Sequence, residues 1–280
     1  MREIDVQTIS DAVRELCIRI NYELSGDMQE ALMKAAETET SELGGKILGI
    51  LEENLKVAKE EQIPICQDTG MAVVFLEIGQ EVHFTGGDLE EAVNRGVARG
   101  YTEGYLRKSV VRDPLDRVNT GDNTPAVIHY QIVQGDQVTI TLAPKGFGSE
   151  NMSRVCMLKP ADGEEGVLNA IVSAVKEAGP NACPPVVVGV GIGGTFEKCA
   201  LLAKKALTRP VGSTSGKPHI AELERKALER INELKIGPAG LGGRVTALAV
   251  QIETYPTHIA GLPVGINICC HVNRHIRTVI

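Results

Sequence analysis

Tryptophan is absent from this 280-residue chain, and aromatic residues make up only 3% of it. That poverty argues against an aromatic platform for nucleic-acid bases and against a carbohydrate-stacking surface. Positive charge is also short: 29 Lys and Arg stand against 36 Asp and Glu, for a net charge of −7. General binding to a phosphate backbone is therefore disfavoured. An anionic substrate needs local Arg or Lys to overcome the repulsive mean field. No apolar run approaches the roughly 20 residues of a transmembrane helix, and the opening "MREIDVQTIS" does not read as a secretory signal. The expectation is a cytoplasmic protein with no membrane or nucleic-acid partner. Close C-x-x-C pairs are missing too. Seven cysteines stand alone or adjacent, at 17, 66, 156, 183, 199, 269 and 270. An odd count in a reducing compartment argues against a disulfide framework and leaves thiols available as metal ligands.

Hydrophobic residues make up 43% of the chain, enough for a substantial core. Val6, Ile9, Val13, Leu16, Cys17, Ile20 and Leu24 recur at helical spacing, which predicts an amphipathic helix over 5–24 with Cys17 in the core. Residues 29–37 and 41–60 read as two more helices, so 1–62 is expected to be a helical N-terminal part. From 63 to 280 the texture is mixed. "MAVVFLEIGQEVHF" reads as a hairpin turning at Gly79-Gln80, and "AVIHYQIV" with "QVTITLAP" as a second one around Gly135-Asp136. Helices are expected at 88–107, 163–178, about 196–207 and 218–234, and late strands in "RVTALAVQIETYP" and "GLPVGINICCHV". No repeat or linker is visible. The fold class expected is α+β, in a single domain over 1–280, with antiparallel hairpins in place of βαβ alternation.

Two glycine motifs are misleading. "GVGIGG" places Gly189, Gly191 and Gly194 in a G-x-G-x-x-G between a strand and a helix. The second strand ending in an acid, which a dinucleotide site needs about 20 residues on, is missing from "TRPVGSTSGKPH". "GSTSGKP" is one residue short of a phosphate loop, and Pro218 stands where Ser or Thr would hold Mg²⁺.

The cysteines are more informative. Cys66 follows Pro64 and precedes Gln-Asp-Thr-Gly. Cys183 sits in "GPNACPPV", and Cys269 and Cys270 where "NIC" meets "CHVNRH". All are element ends, where backbone can bend around a ligand, whereas Cys156 and Cys199 read as core. Widely spaced single cysteines do not match a zinc ribbon or a ferredoxin run. They fit a cluster held where several segments meet, with buried free thiols as the plain alternative.

Taken together, "CQDTG", "LRKS", "NTGDNTP", "KGFGSEN", "ACPP", "ETYPTHIAGLPV" and "NICCHVNRH" resemble the iron–sulfur hydro-lyases, the class I fumarases and L-tartrate dehydratases, and specifically their α-subunit. The resemblance covers nearly the whole chain. It implies a [4Fe–4S] cluster on three cysteines, with the fourth iron open to substrate. Cys66 and Cys183 match the first two ligands. The third falls in "NICCH", about twelve residues after an active-site histidine, which selects Cys270 over Cys269. Gln67 and Asp68 match substrate-contacting positions, Arg107 matches an arginine that grips a carboxylate, and Gly146 and Gly148 match a loop offering backbone N–H groups. Phe147 departs from the glycine-richer family loop. His258 matches the active-site histidine.

The activity implied is reversible hydration of a dicarboxylate, fumarate to L-malate, with tartrate dehydration to oxaloacetate as the alternative. Single-chain members carry a further domain with the remaining catalytic groups, including a proposed threonine base. The resemblance thus implies a separate β-subunit and an α₂β₂ assembly. From the residues alone, Asp68 also fits a turn cap, Arg107 a solvated helix residue and His258 a structural histidine. A non-catalytic module with zinc on Cys66, Cys183, Cys270 and a histidine such as His271 is a reading of another class. A cluster-bearing assembly partner without its own chemistry is a further one.

Overall fold

The computed structural model describes residues 1–280. The fold is α+β, and the chain forms two compact units. The first unit comprises Met1–Ser25, Leu55–Gly146 and Arg274–Ile280; the second comprises Gly26–Asn54 and Phe147–Asn273.

In the first unit, the expected amphipathic helix is α1 (Val6–Tyr22), N-capped by the Asp5 side chain, which accepts from the Gln7 N–H at 2.7 Å. Its apolar stripe joins α4 (Leu89–Glu103) in a core with Cys17, Tyr101, Val74, Leu76, Ile140 and Leu142. Helix α4 stops four residues short of the expected end, because Tyr105, after the C-cap Gly104, turns to φ 50°. A short strand β1 (Arg2–Asp5) precedes α1 and pairs in parallel with β3 (Val82–Thr85). It lies within residues 1–62, the part expected to be helical, ahead of the first helix.

Neither expected hairpin forms a ladder. The main sheet of this unit has the order β10-β5-β2-β4, with β2 at Met71–Gly79, β4 at Val127–Val133, β5 at Val138–Lys145 and β10 at Ile276–Val279. The nearly continuous apolar run of β2 is buried on both faces, so it takes the interior slot. β4 lies parallel on one side of it and β5 antiparallel on the other. The connection from β4 to β5 therefore passes over the end of β2. There Gly79 donates its N–H to Gln137 at 2.8 Å, and a Cβ on Gly79 would stand 2.3 Å from the Gly135 oxygen.

The second unit has the same pairing pattern. Its sheet order is β6-β9-β7-β8, with β6 at Arg154–Leu158, β7 at Val186–Gly194, β8 at Ala247–Thr257 and β9 at Leu262–Cys269. Again an early, buried strand (β7) lies between a parallel strand (β8) and an antiparallel one (β9). Helices α6 (Gly163–Ala178), α7 (Phe196–Ala206) and α8 (Pro218–Glu233) accompany it, with a core of Ile171, Val188, Val190, Ala227, Ile252 and Ile266. Helices α2 (Gly26–Thr38) and the first part of α3 (Glu42–Glu61) also belong here. The reason is Glu39, whose carboxylate accepts backbone N–H groups from Thr40, Ser41, Arg244 and Val245, each at 2.8 Å. Partial burial pushes its pKa up, but these four donors outweigh that and hold it below the usual carboxylate range.

The G-x-G-x-x-G lies inside β7 and is a packing device. A Cβ on Gly191 would fall 2.1 Å from the Cys199 carbonyl oxygen of α7, and one on Gly189 2.2 Å from that of Ala203. The glycines let the helix lie directly on the strand. Gly191→Ala should accordingly lower stability by about 3 kcal/mol. Gly49→Ala, inside α3 with nothing within 4 Å of the new Cβ, should raise it by roughly 0.5–1 kcal/mol. Denaturant midpoints of the two variants measure both effects, and equal midpoints would refute the packing role.

Candidate functional site

In the first unit the site is a turn, Ile65–Gly70, leading into β2. Ile65, Thr69 and Gly70 are buried although the segment belongs to no strand or helix. Its backbone groups must then find partners outside regular structure. The Ile65 N–H donates to the Asn21 carbonyl at the end of α1 (2.9 Å). The Asp68 N–H points at the Cys66 sulfur (3.4 Å), and the Asp68 Oδ1 accepts the Gly70 N–H (3.0 Å). Arg274 Nη2 donates to the Asp68 carbonyl (2.8 Å). The Tyr101 hydroxyl lies 2.8 Å from the Thr69 oxygen and 3.0 Å from that of Gly70, where Asn123 Nδ2 also donates (3.1 Å). Burial holds the Tyr101 phenol far above its usual pKa, so it stays a donor.

Within this frame Cys66 and Asp68 are partly exposed and Gln67 is exposed. Gly146, just after β5, lies against Asp68: a Cβ there would meet Asp68 Oδ2 at 2.9 Å. Arg107 lies beyond the end of α4, in irregular chain rather than on a helix. Its carbonyl accepts from Thr69 Oγ1 (3.1 Å), while its side chain is exposed and forms no ion pair within the chain. Asn123 ties the same region together, accepting from the Ser109 N–H at 2.6 Å and from that of Val110 at 3.2 Å.

In the second unit Cys183 closes a 3-10 turn (Gly179–Ala182) with φ 52° and is exposed, just before β7. Cys270 follows the end of β9 and is partly exposed, whereas Cys269, the last residue of the strand, is buried at 3%. The two element ends meet: the Cys183 carbonyl accepts the His271 N–H at 3.4 Å and lies 3.0 Å from its Nδ1. Gly148 sits in the short helix α5 (Phe147–Glu150), exposed.

His258 stands apart. It follows β8, is exposed, and turns the chain toward β9 through the Gly261 N–H on its carbonyl (3.0 Å). That turn lies at the Gly194 end of β7, while Cys183 and Cys270 lie at the Val186 end. The nine residues of β7 between them span roughly 25–30 Å. One chain does not bring His258 to its own Cys183 and Cys270.

The thiols thus differ by environment. Cys17, Cys199 and Cys269 are buried, and burial pushes the first two above the ordinary thiol pKa, which opposes thiolate ligation. Cys156, expected in the core, is half-buried on the edge strand β6. Within neither unit do three His, Cys, Asp or Glu side chains already form a metal-ready group. Open clefts of about 450 and 640 Å³ beside α8 contain none of the sequence-indicated residues.

Asn21, Tyr101, Asn123 and Arg274 escaped sequence reasoning as site residues. Asn123 and Arg274 do stand inside the quoted "NTGDNTP" and "NICCHVNRH"; Tyr101 and Asn21 carry no local signal beyond polar atoms on apolar helix faces.

Comparison with known proteins agrees with the sequence resemblance. The family model described as fumarate hydratase (Fumerase) matches residues 10–279. A putative L(+)-tartrate dehydratase subunit alpha from Methanocaldococcus jannaschii is 44% identical over 272 residues, 95% of each chain. The L(+)-tartrate dehydratase subunit alpha of Escherichia coli K12 is 32% identical over 273 residues, 96% of this chain and 89% of that one.

Tyr101→Phe keeps the ring but removes the donor from two buried carbonyls. It should cost about 1–3 kcal/mol and speed amide exchange across residues 65–70. Unchanged exchange there would show that the hydroxyl does not brace the turn.

Proposed function

Because the chain belongs to the fumarate hydratase (Fumerase) family, we propose that it is the α-subunit of a [4Fe–4S]-dependent hydro-lyase acting on a four-carbon dicarboxylate. The carrying observation is the coincidence of a full-length family match with Cys66, Cys183 and Cys270 standing unburied at element ends while Cys17, Cys199 and Cys269 are buried. The donor set fits the group: three accessible sulfurs, the first already accepting a backbone N–H, as suits a thiolate. Bound there, the cluster would supply a Lewis acid for substrate oxygens at an iron with no protein ligand.

The chain's own residues would do the rest of the binding. Arg107 carries an uncommitted guanidinium suited to one substrate carboxylate in a bidentate grip. Gln67 and Asp68 present polar groups beside Cys66, and the backbone at Gly146 and Gly148 offers N–H donors. The remaining groups, including the base for the carbon-bound proton, fall to a separate β-subunit in an α₂β₂ assembly. The relatives' designation as subunit alpha supports a partner. His258, a strand length away from its own cysteines, would serve the site of a second copy.

Fumarate hydration is the first reading. Tartrate dehydration is the second, favoured by the names of the similar proteins. An anaerobic assay of the reconstituted complex with malate and tartrate side by side decides between them. The chain alone should be inactive on both, and full turnover without the β-subunit would remove the case for a partner. Arg107→Ala should lower kcat/KM by an amount equal to about 1.5–3 kcal/mol while leaving the cluster absorption intact. An unchanged kcat/KM would make Arg107 a surface residue.

The ligand assignment has its own measurement. Iron per chain after anaerobic reconstitution should fall in Cys66→Ser, Cys183→Ser and Cys270→Ser and hold in Cys17→Ser, Cys156→Ser, Cys199→Ser and Cys269→Ser. Retention in Cys270→Ser with loss in Cys269→Ser would reverse the choice of third ligand.

A further inference from the structure

Arg274 is a charged side chain that the proposed reaction does not use. It is 3% exposed. Nη1 donates to Asn21 Oδ1 at 2.5 Å and Nη2 to the Asp68 carbonyl at 2.8 Å. Its Nε is buried and finds no acceptor. Both acceptors are neutral, and no carboxylate forms an ion pair with it; Asp68 Oδ1 instead takes the Gly70 N–H. An isolated cation in a protein interior is strongly unfavourable unless opposite charge stands close by. A carbonyl can be held without a charge: Tyr101 and Asn123 brace the next two residues with neutral donors.

Two groups of negative character lie near Arg274: the Asp68 carboxylate, which forms no direct ion pair with it, and the sulfur of Cys66. That sulfur accepts the Asp68 N–H at 3.4 Å, while the carbonyl of that same residue takes the guanidinium. One residue of backbone and two short contacts keep Arg274 within roughly 10 Å of the sulfur. At that range, in a partly buried site, a unit charge is felt appreciably.

We propose that Arg274 is a positioning residue of the cluster site, whose fixed buried charge offsets the negative charge that a cluster and its thiolates bring to the Cys66 turn while its forked donors hold that turn in shape. The proposal rests on the [4Fe–4S] reading given above. It makes two separable claims. Charge at Arg274 should favour the more reduced, more negative cluster and retard loss of iron. The geometry of its fork should tie Asp68 to Asn21.

The test uses the full-length chain, reconstituted anaerobically, as wild type, Arg274→Lys and Arg274→Gln. The midpoint for one-electron reduction of the cluster is read in a dithionite titration with redox mediators, and iron loss to a chelator is timed separately. Arg274→Lys keeps the charge and should stay close to wild type in midpoint. Arg274→Gln keeps a donor but loses the charge; its midpoint should move to lower potential and its iron should leave several-fold faster. Loading of the Lys variant alone would also support the charge requirement. Midpoints and iron-loss rates in Arg274→Gln equal to wild type would overturn the proposal. Failure of both variants alike, whether in folding or loading, would overturn the charge claim and leave only the fork, since the shape of the guanidinium would then be what matters. If wild type itself takes up no iron and sulfide, the cluster reading fails first, which is a distinct result.

Discussion

Residues 65–70 bury their backbone outside any regular ladder, and much of the first unit is arranged to satisfy it. A buried N–H or carbonyl without a partner costs as much as a lost hydrogen bond or more. Here the partners come from far along the chain: Asn21 at the end of α1, Tyr101 in α4, Asn123 ahead of β4 and Arg274 ahead of β10. Four segments, two helices and two stretches of irregular chain, therefore converge on one turn, and Cys66, Gln67 and Asp68 stand at its exposed edge. Gln67 and Asp68 are polar at the exposed edge while the main chain is tied inward, and Thr69 is buried with its hydroxyl donating to the Arg107 carbonyl.

The same logic explains where the candidate site residues gather in each sheet. An early apolar strand is inserted between two later ones of opposite direction. The N-terminal end of the inserted strand then lies beside the C-terminal end of its antiparallel neighbour. In the first unit this sets Asp68 against Gly146. In the second it sets Cys183 against His271, next to Cys270. Each sheet offers one end with a cysteine, a sharp turn and an accessible backbone. The other end in the second unit carries His258, which explains how a residue matching an active site in sequence can stand far from the cysteines of its own chain.

Electrostatics follows a similar division. The chain is acidic as a whole, with a net charge of −7, so a dicarboxylate meets a repulsive mean field. Arg107 is exposed beside the turn and available to a ligand, whereas Arg274 is buried behind the turn and unavailable to substrate. On the proposed reading, one suits recognition and the other offsets charge at the turn.

Local pattern was enough for much of this protein. Helical periodicity located α1, α6, α7 and α8 to within a residue or two, because each buries one continuous stripe. The placing of Cys66, Cys183 and Cys270 at element ends was legible for the same reason: a proline or a strand terminus is a local event. Other features depended on partners that are remote in sequence. Strand pairing differs from the pattern at both expected hairpins, since alternation indicates which residues face inward but not which strand lies alongside, and a fully buried β2 could satisfy its edges only from both sides. Gly189 and Gly191 of "GVGIGG" are glycines because a helix backbone lies 2.1–2.2 Å from where their Cβ atoms would be, a distance that exists only in three dimensions. Arg274 and Tyr101 became site residues only when chain folding buried the carbonyls they serve, for an unsatisfied backbone group has no identity in sequence until something covers it.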